Sequence, residues 1–239
     1  MDPQTEKGSL FLFPATLGDV SAETCLPAGN ILILNLINVF VVEEIRTARR
    51  FLKKAGYTGL IDDITFFLLN EHTSDQEIDA YLEPAAGGKN IGLMSEAGLP
   101  CVADPGHKLV SLAHQKGIRV IPLTGPSSLM LALMASGFSG QHFTFHGYLP
   151  VKTPERIKSL KLIEREVRQT GSPQLFIETP YRNMAMFHTI IETCHPDTRL
   201  CIAANITLQD EFIHTMPVHR WKSQIPELQK KPAVFILGI

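Results

Sequence analysis

The sequence predicts an α/β protein of two domains, because short apolar segments rich in β-branched and aromatic residues alternate with amphipathic stretches throughout its 239 residues. Hydrophobic residues make up 44% of the chain and charged residues 19%, as in ordinary globular proteins with well-buried cores. A Gly-Pro turn follows the fifth apolar segment, and no flexible linker is present. We therefore expect two packed domains, 1–123 and 124–239.

Candidate strands fall into two sets, one on each side of that turn. The first set is Leu10–Phe13, Val39–Val42, Ile64–Leu69, Ile91–Met94 and Ile118–Leu123. The second set is His142–Phe145, Gln174–Ile177, Leu200–Ala204, Glu211–Met216 and Ala233–Leu237.

Helix signals lie between the strands, as apolar patterns with helical spacing and as residues that start or stop helices. They are an amphipathic pattern over Ile45–Ala55, a Ser74 to Glu77 capping box with a Gly87-Gly88 stop, an apolar helix at Leu129–Ala135, and N-cap plus first-turn proline pairs at Thr153-Pro154 and Thr179-Pro180.

Composition and missing motifs exclude several function classes. The net charge is −2, so the chain as a whole does not attract polyanions, and any contact with nucleic acid needs a local basic patch. No G-x-G occurs, and neither G-x-S-x-G nor H-E-x-x-H is present. Hydride transfer, phosphate-loop ATPase and serine-hydrolase chemistry therefore lack their usual sequence support.

The four cysteines are scattered, without a C-x-x-C pair or histidines at ligand spacing. This pattern predicts neither disulfides nor a metal site. Cys101 lies in a loop and has two interpretations, a nucleophile or a small packed thiol. We favour the packed thiol, because the sequence places no base or cation beside it that would lower its pKa.

The N-terminus, Met1–Gly8, lacks the basic start and long apolar core of a signal peptide. The most apolar run, Ile31–Val42, is interrupted by Asn35 and Asn38 and is too short to span a bilayer. We expect a cytoplasmic protein without membrane contact.

The stretch from Ile91 to Gly106 is the strongest candidate for a ligand loop. A short apolar strand breaks there into a loop that carries Gly98 and the carboxylates Glu96 and Asp104. Ligands bind at the carboxyl ends of strands in open α/β sheets, where glycine permits close approach of the backbone. The alternative is a tight turn that only connects a strand to a helix.

Five motifs follow candidate strands in a characteristic order. They are P-A-T-L-G-D at 14–19, E-E-I-R at 43–46, S-E-A-G-L-P with A-D-P-G at 95–106, P-L-T-G-P-S-S at 122–128 and H-G-Y-L-P at 146–150. This order resembles the tetrapyrrole-methylase superfamily of S-adenosylmethionine-dependent methyltransferases over nearly the whole chain. Its closest branch methylates a ribose 2′-hydroxyl of 16S ribosomal RNA.

The resemblance implies a cofactor cleft between two α/β domains, and usually a homodimer. It also implies that S-adenosylmethionine is held by loops of both domains, and a sulfonium beside the Glu96 carboxylate is electrostatically favourable. The implied cofactor-binding residues are Pro14, Leu17, Gly18, Ser95, Glu96, Ala97, Gly98, Ser127, Ser128, Tyr181, Asn205, Ile206, Pro232 and Ala233.

Methyl transfer is an in-line displacement that depends mainly on orientation, but a hydroxyl nucleophile also needs a base. Glu43 and Glu71 are acids at strand ends where a base would lie, and the alternative for each is a surface or N-cap carboxylate. Arg46 belongs to the family's E-x-x-R element and would anchor a phosphate or carboxylate, although by periodicity it is one member of a basic helix face. We predict Glu43, Arg46 and Glu71 as the catalytic residues.

Two basic patches accompany these motifs, and each is either solvated or a contact for RNA. One lies on the helix that carries Arg46, and the second comprises Lys152, Arg156, Lys158, Lys161, Arg165 and Arg168. We also expect Arg182 to tie down the loop of the second domain.

The RNA-methylating branch carries R-E-L-T-K on a late strand, where this chain has Ala204-Asn205-Ile206-Thr207-Leu208. We expect an S-adenosylmethionine-dependent methyltransferase, with the ribose of ribosomal RNA as the first acceptor. The alternatives are a methyltransferase for a tetrapyrrole or another small molecule, and a non-catalytic S-adenosylmethionine-binding protein.

Overall fold

A computed structural model describes residues 6–239, so the first five residues of the segment searched for a signal peptide lie outside the described part. The chain divides into two compact units, an N-terminal unit of residues 1–127 and a C-terminal unit of residues 128–239. This division falls slightly after the sequence-based boundary. The turn at 124–127 stays with the N-terminal unit because the Asn30 amide donates to the Thr124 carbonyl at 2.8 Å and Gly125 packs on Pro14.

The N-terminal unit contains a five-stranded sheet in which every neighbouring pair is parallel, in the order β3-β2-β4-β1-β5. Its strands are β1 (Ser9–Phe13), β2 (Val39–Val42), β3 (Thr65–Leu68), β4 (Ile91–Met94) and β5 (Arg119–Pro122). Its helices are α1 (Ala28–Leu34), α2 (Ile45–Lys54), α3 (Asp75–Ala80), α4 (Glu83–Ala86) and α5 (Gly106–Gln115), with short 3₁₀ helices at Ala22–Thr24 and Ile61–Asp63.

Both faces of this sheet are buried. Leu10 and Leu93 belong to one apolar cluster, which Leu109 of α5 completes. Phe13 and Phe40 belong to a second cluster on the opposite face, as the alternation of side chains along a strand requires. Because all five strands run in one direction, their carboxyl ends, and the motifs that follow them, meet at one edge of the sheet.

The C-terminal unit contains a mixed five-stranded sheet in the order β6-β7-β10-β8-β9. Its strands are β6 (Thr144–Tyr148), β7 (Gln174–Glu178), β8 (Arg199–Ala204), β9 (Phe212–Pro217) and β10 (Ala233–Gly238). Only the β6–β7 pair is parallel, and the last strand, β10, lies antiparallel between β7 and β8. Its helices are α6 (Ser128–Ser136), α7 (Thr153–Thr170), α8 (Asn183–Thr193) and α9 (Val218–Trp221).

Three local predictions in the C-terminal unit were wrong. The strand expected at His142–Phe145 begins at Thr144, which pairs with Gln174 at the start of β7. Pro173 precedes Gln174 and has no N–H, so the ladder does not extend further in that direction. Pro154 lies in the first turn of α7 as predicted, but the N-cap is Lys152 and Thr153 is the first helical residue. Thr179 does not start a helix, because its carbonyl accepts the Arg182 N–H in a turn and α8 begins afterwards.

Within residues 6–239, no helix is both long and apolar enough to cross a bilayer.

Candidate active site

Two of the predicted loops join directly at the carboxyl edge of the parallel sheet. The Ala15 N–H donates to the Gly98 carbonyl at 2.8 Å, so the loop after β1 and the loop after β4 form a single antiparallel bridge. Gly98 has φ +71°, and a Cβ there would lie 3.1 Å from Leu17 Cδ2 and 3.5 Å from the Pro126 carbonyl oxygen. This close approach requires glycine.

The loop after β5 packs into the same place. A Cβ on Gly125 would lie 2.2 Å from Pro14 Cβ, so the L-T-G-P-S-S motif and the P-A-T-L-G-D motif touch at a second glycine. Three of the five motifs therefore meet around Pro14, Gly98 and Gly125. The predicted cofactor residues of the N-terminal unit lie in these loops.

Asp104 organises the rest of the long loop after β4. Its carboxylate accepts the N–H groups of Cys101 and Gly106, each at 2.7 Å. Cys101 and Ala103 have φ values of 69° and 64°, left-handed conformations that cost energy in residues other than glycine. Burial raises the pKa of Asp104, and the donated N–H groups of Gly106 and Cys101 oppose that shift.

The Cys101 thiol is not prepared for nucleophilic chemistry. Burial, and then the charge of Asp104, raise its pKa to about 12. The side chain packs against the apolar cluster that contains Leu93. This environment supports the interpretation as a packed thiol.

The two adjacent acids of E-E-I-R have different environments. Glu44 is the N-cap of α2, and its carboxylate accepts the Thr47 N–H at 2.7 Å. Glu43 is half-buried at the end of β2 and accepts the Glu96 N–H. Burial, and then the charge of Asp104, raise the pKa of Glu43 from 4.5 to about 6. A carboxylate with a raised pKa beside a ligand loop is suited to general base catalysis.

Glu43 lines a small pocket, and a larger one adjoins it. The small pocket is lined by Ala15, Val42, Glu43, Glu44, Thr47, Ala48, Phe51, Met94, Ser95 and Glu96. The larger pocket has a volume of about 280 Å³ and is lined by Thr16, Leu17, Gly18, Asp19, Val20, Ala22, Thr47, Arg50, Phe51, Lys54, Glu96 and Ala97. They share Thr47, Phe51 and Glu96.

The other two predicted catalytic residues lie outside both pockets. Arg46 is exposed on the first turn of α2. Glu71 lies in the turn after β3 with its side chain 85% exposed, and its Oε1 lies 3.5 Å from His72 Nε2. Their catalytic roles remain predictions, and the structure places only Glu43 beside the converging loops.

Apart from Ser128, the predicted residues of the C-terminal unit lie at one edge of its mixed sheet. The Asn205 N–H donates to the Pro232 carbonyl at 3.0 Å, and Ala233 pairs with both Ala204 and Glu178. Ile206 is buried next to Asn205, and Tyr181 is exposed in the turn after β7. Ser128 is the first residue of α6.

Arg182 holds the turn after β7. Its guanidinium donates twice to Glu178 Oε1, at 3.0 and 2.6 Å, and the Glu178 side chain is fully buried. Glu178 Oε2 and Asn183 Oδ1 are buried acceptors without a hydrogen-bond partner among the described residues. These two oxygens, near the edge that carries Asn205 and Pro232, can therefore accept further hydrogen bonds.

One member of the second predicted basic patch is buried. Arg156 is only 5% exposed, and its guanidinium donates to Thr189 Oγ1, the Val151 carbonyl and Thr153 Oγ1 at 3.1–3.2 Å. It acts as a structural residue, because α7 turns this position toward α8. Within residues 6–239, no group of three or more His, Cys, Asp or Glu side chains is arranged to hold a metal ion.

The fold of this chain is similar to that of solved methyltransferases that act on tetrapyrroles. The crystal structure of the methyltransferase CobJ superposes with a TM-score of 0.64 at 17% identity, covering 97% of this chain and 94% of that one. The uroporphyrin-III C-methyltransferase of Thermus thermophilus superposes with a TM-score of 0.55 at 18% identity, with the same coverage. No family model matches the sequence.

The chain belongs to the ribosomal RNA small subunit methyltransferase I family. It is 30% identical to the Escherichia coli O157:H7 protein of that name over 212 residues, covering 89% of this chain and 70% of the relative. The Buchnera aphidicola protein of that name is 29% identical over 240 residues, covering 99% of this chain and 80% of the relative. The resemblance to the superfamily and to its RNA-methylating branch is confirmed.

Proposed function

We propose that this enzyme transfers the methyl group of S-adenosylmethionine to a ribose 2′-hydroxyl of small-subunit ribosomal RNA. The observation that carries the proposal is the position of Glu43, a half-buried carboxylate with a raised pKa beside the loops joined at Gly98. A ribose hydroxyl is a weak nucleophile and needs such an acceptor for its proton. The names of the relatives support ribosomal RNA as the acceptor.

The residues present fit a cationic nucleoside cofactor. When bound, S-adenosylmethionine supplies an electrophilic methyl group on a positively charged sulfur. In the N-terminal unit, the residues that would hold it are Pro14, Leu17, Gly18, Ser95, Glu96, Ala97, Gly98 and Ser127. In the C-terminal unit, they are Ser128, Tyr181, Asn205, Ile206, Pro232 and Ala233. The exposed Glu96 carboxylate complements the cationic charge.

The protein's own residues then have separate tasks. The joined loops orient the reactants, an effect worth up to about 7–11 kcal/mol in ideal cases. Glu43 accepts the proton of the hydroxyl, and the Glu96 N–H keeps its carboxylate in place. Arg46, exposed at the start of α2, contacts a phosphate of the RNA.

The missing charges at 204–208 do not favour a non-catalytic protein. In this stretch the Asn205 backbone is fixed by the Pro232 carbonyl, and the Asn205 side chain donates to Asp210 at 2.8 Å. A backbone edge of this kind contacts an adenine through main-chain groups, which need no charged side chain. The tetrapyrrole alternative has no support from the names of the relatives, which specify ribosomal RNA.

The proposal includes a homodimer in the cytoplasm, where ribosomal RNA is available. Leu32 in α1 and Leu36, two residues after it, are 72% and 76% exposed, and a dimer interface at α1 would cover these neighbouring apolar side chains. Sedimentation equilibrium tests this part, and a monomer at micromolar concentration would contradict it.

The activity is tested with small ribosomal subunits from cells that lack this methylation and with cofactor labelled in its methyl group. We expect label in the RNA and, after alkaline hydrolysis, in a resistant dinucleotide, because a methylated 2′-hydroxyl cannot attack the adjacent phosphate. Label in a mononucleotide would show methylation of a base. If no methyl group is transferred to any form of the RNA, ribosomal RNA is not the acceptor.

The pH dependence of methyl transfer tests the role of Glu43. Because the base must be ionised, we expect kcat/KM for the RNA to rise with pH through about 6, the pKa of Glu43 in the free enzyme. Asp104 contributes to this raised pKa, so Asp104→Asn should lower the pKa of Glu43 and move the limb of the profile to lower pH. Cofactor affinity and thermal unfolding of the variant are measured in parallel, since Asp104 also holds its loop. If Asp104→Asn is folded and binds the cofactor, but the rise of its pH profile stays in place or moves to higher pH, Glu43 is not the base.

A further inference from the structure

The larger pocket beside Glu43 has basic and aromatic lining residues to which the proposed reaction assigns no role. One of its walls is a single face of α2, formed by Thr47, Arg50, Phe51 and Lys54 at helical spacing. The opposite wall comes from the loop at 16–20 and from Glu96 and Ala97. Its volume of about 280 Å³ is near the lower end of small-molecule sites.

The charges of this wall are not all neutralised. Lys54 pairs with Asp19, and Arg49, which lies outside the pocket, pairs with Asp62. Arg50 is exposed and makes no hydrogen bond or ion pair among residues 6–239. Asp19 is close enough for Arg50 to contribute to its lowered pKa, after the larger contribution of Lys54. The guanidinium of Arg50 is therefore available to an anionic group at the rim of the pocket.

Aromatic and acceptor groups complete the lining. Phe51 is partly buried and contributes to both pockets, and the exposed Glu96 carboxylate also contributes to both. An aromatic ring stacks on a nucleobase, and a guanidinium binds a phosphate. Phe51 and Arg50 together match an unstacked nucleotide, and the Glu96 carboxylate stays with the cofactor.

The position of the pocket relates it to the acceptor strand. Thr47, Phe51 and Glu96 also line the small pocket that contains Glu43, so an occupant of the larger pocket lies next to the group that takes the proton of the ribose. The small pocket has a volume of about 10 Å³, room for one hydroxyl group and not for a nucleotide, so only the reacting hydroxyl would enter it while the adjacent nucleotide lies in the larger pocket. A nucleotide held in the larger pocket would fix the strand with the reacting ribose at Glu43.

We propose that the pocket between α2 and the loop at 16–20 binds an unstacked nucleotide of the acceptor RNA, with its base on Phe51 and its phosphate on Arg50. This inference rests on the proposed RNA methyltransferase function and adds a subsite that positions the strand. Arg50 and Phe51 are positioning residues for the RNA. Neither takes part in the proton transfer.

The test compares Arg50→Ala and Phe51→Leu with Arg49→Ala, a control that removes the same charge from the neighbouring position outside the pocket. With undermethylated small subunits, we expect the KM for RNA to rise about tenfold in the first two variants, with kcat nearly unchanged. Arg49→Ala should stay within about twofold of the wild type, because it loses only an exposed ion pair. The Kd for S-adenosylhomocysteine should be unchanged in all three.

The salt dependence of RNA binding separates the two contributions. Arg50→Ala removes one phosphate contact, so the slope of log K against log salt should fall by about 0.7 to 0.9. Phe51→Leu should weaken binding without changing the slope, and Phe51→Tyr, which keeps the ring, should restore it. Thermal unfolding of each variant shows whether the N-terminal unit is intact, and the Tyr variant keeps the test decisive if Leu destabilises it.

Two results would overturn the inference while leaving the proposed function in place. Equal KM values for Arg50→Ala and Arg49→Ala would show that the pocket does not meet the RNA. A weaker Kd for S-adenosylhomocysteine in Arg50→Ala or Phe51→Leu would assign the pocket to the cofactor. Failure of the wild type to methylate any ribosomal RNA is a different observation, and it would remove both proposals.

Discussion

Gly98→Val is expected to abolish cofactor binding while the N-terminal unit remains folded. Gly98 has φ +71°, a left-handed conformation that a β-branched residue adopts only with strain of about 1–3 kcal/mol. The first added carbon would lie 3.1 Å from Leu17 Cδ2, and the valine methyl groups would extend further into the crowded loop. The free loop relieves this strain by leaving its native conformation, and restoring that conformation on binding would weaken affinity about 5- to 150-fold. The lost space adds to this effect.

The measurement is isothermal titration with S-adenosylhomocysteine. Gly137→Val is the matched control, because Gly137 has φ +76° and no heavy atom within 4 Å of an added Cβ. This control carries similar backbone strain away from the loops and should lose stability but keep cofactor affinity. Wild-type affinity in Gly98→Val would show that the cofactor site has been misplaced.

Glu43→Gln is expected to reduce methyl transfer about 10²- to 10⁴-fold, the usual contribution of a general base. The amide is nearly isosteric with the carboxylate, and its oxygen can still accept the Glu96 N–H, so the loop and the cofactor affinity should be retained. Single-turnover transfer of labelled methyl to undermethylated small subunits, at saturating cofactor, measures the loss. A rate within a few-fold of wild type would exclude Glu43 as the base.

The same substitution should stabilise the protein at neutral pH. The folded-state pKa of Glu43 is raised to about 6 from 4.5, so the folded protein holds this proton more tightly than the unfolded chain does. The resulting stabilisation is present below pH 4.5 and is lost as pH rises through about 6. Glu43→Gln removes the half-buried charge, so its Tm should exceed that of the wild type at pH 8 and the difference should shrink in acid.

Glu44→Gln provides the control for that comparison. It changes the neighbouring acid in the same way, but Glu44 caps α2 through the Thr47 N–H. Its replacement should lower stability slightly, through a weaker cap and the lost charge at the helix N-terminus, and should leave methyl transfer intact. Opposite effects of two adjacent, chemically identical substitutions would separate the catalytic carboxylate from the structural one.

The sequence determined the α/β class and nearly all strand positions, because buried strands need continuous apolar runs and each run is visible locally. It also determined the motifs at 14–19, 95–106 and 122–128, since close contacts such as those at Gly98 and Gly125 require glycine. These motifs were sufficient to indicate the family. Arg50 was predicted only as part of the basic face of the helix that carries Arg46, and its place in a pocket with Phe51 and Lys54 was not predicted.

Only the tertiary structure decided which of the two adjacent acids is half-buried with a raised pKa and which caps α2, since that depends on where β2 ends and α2 begins. It also buried Arg156 against α8 and placed the last strand, β10, between β7 and β8, which brings Pro232 to Asn205 across a long separation in the chain. Local sequence patterns indicate whether a segment is buried, but they do not indicate which other segment it packs against. The pKa of Glu43 depends on Asp104 and Glu96, which are distant in sequence, so it is a property of the folded chain alone.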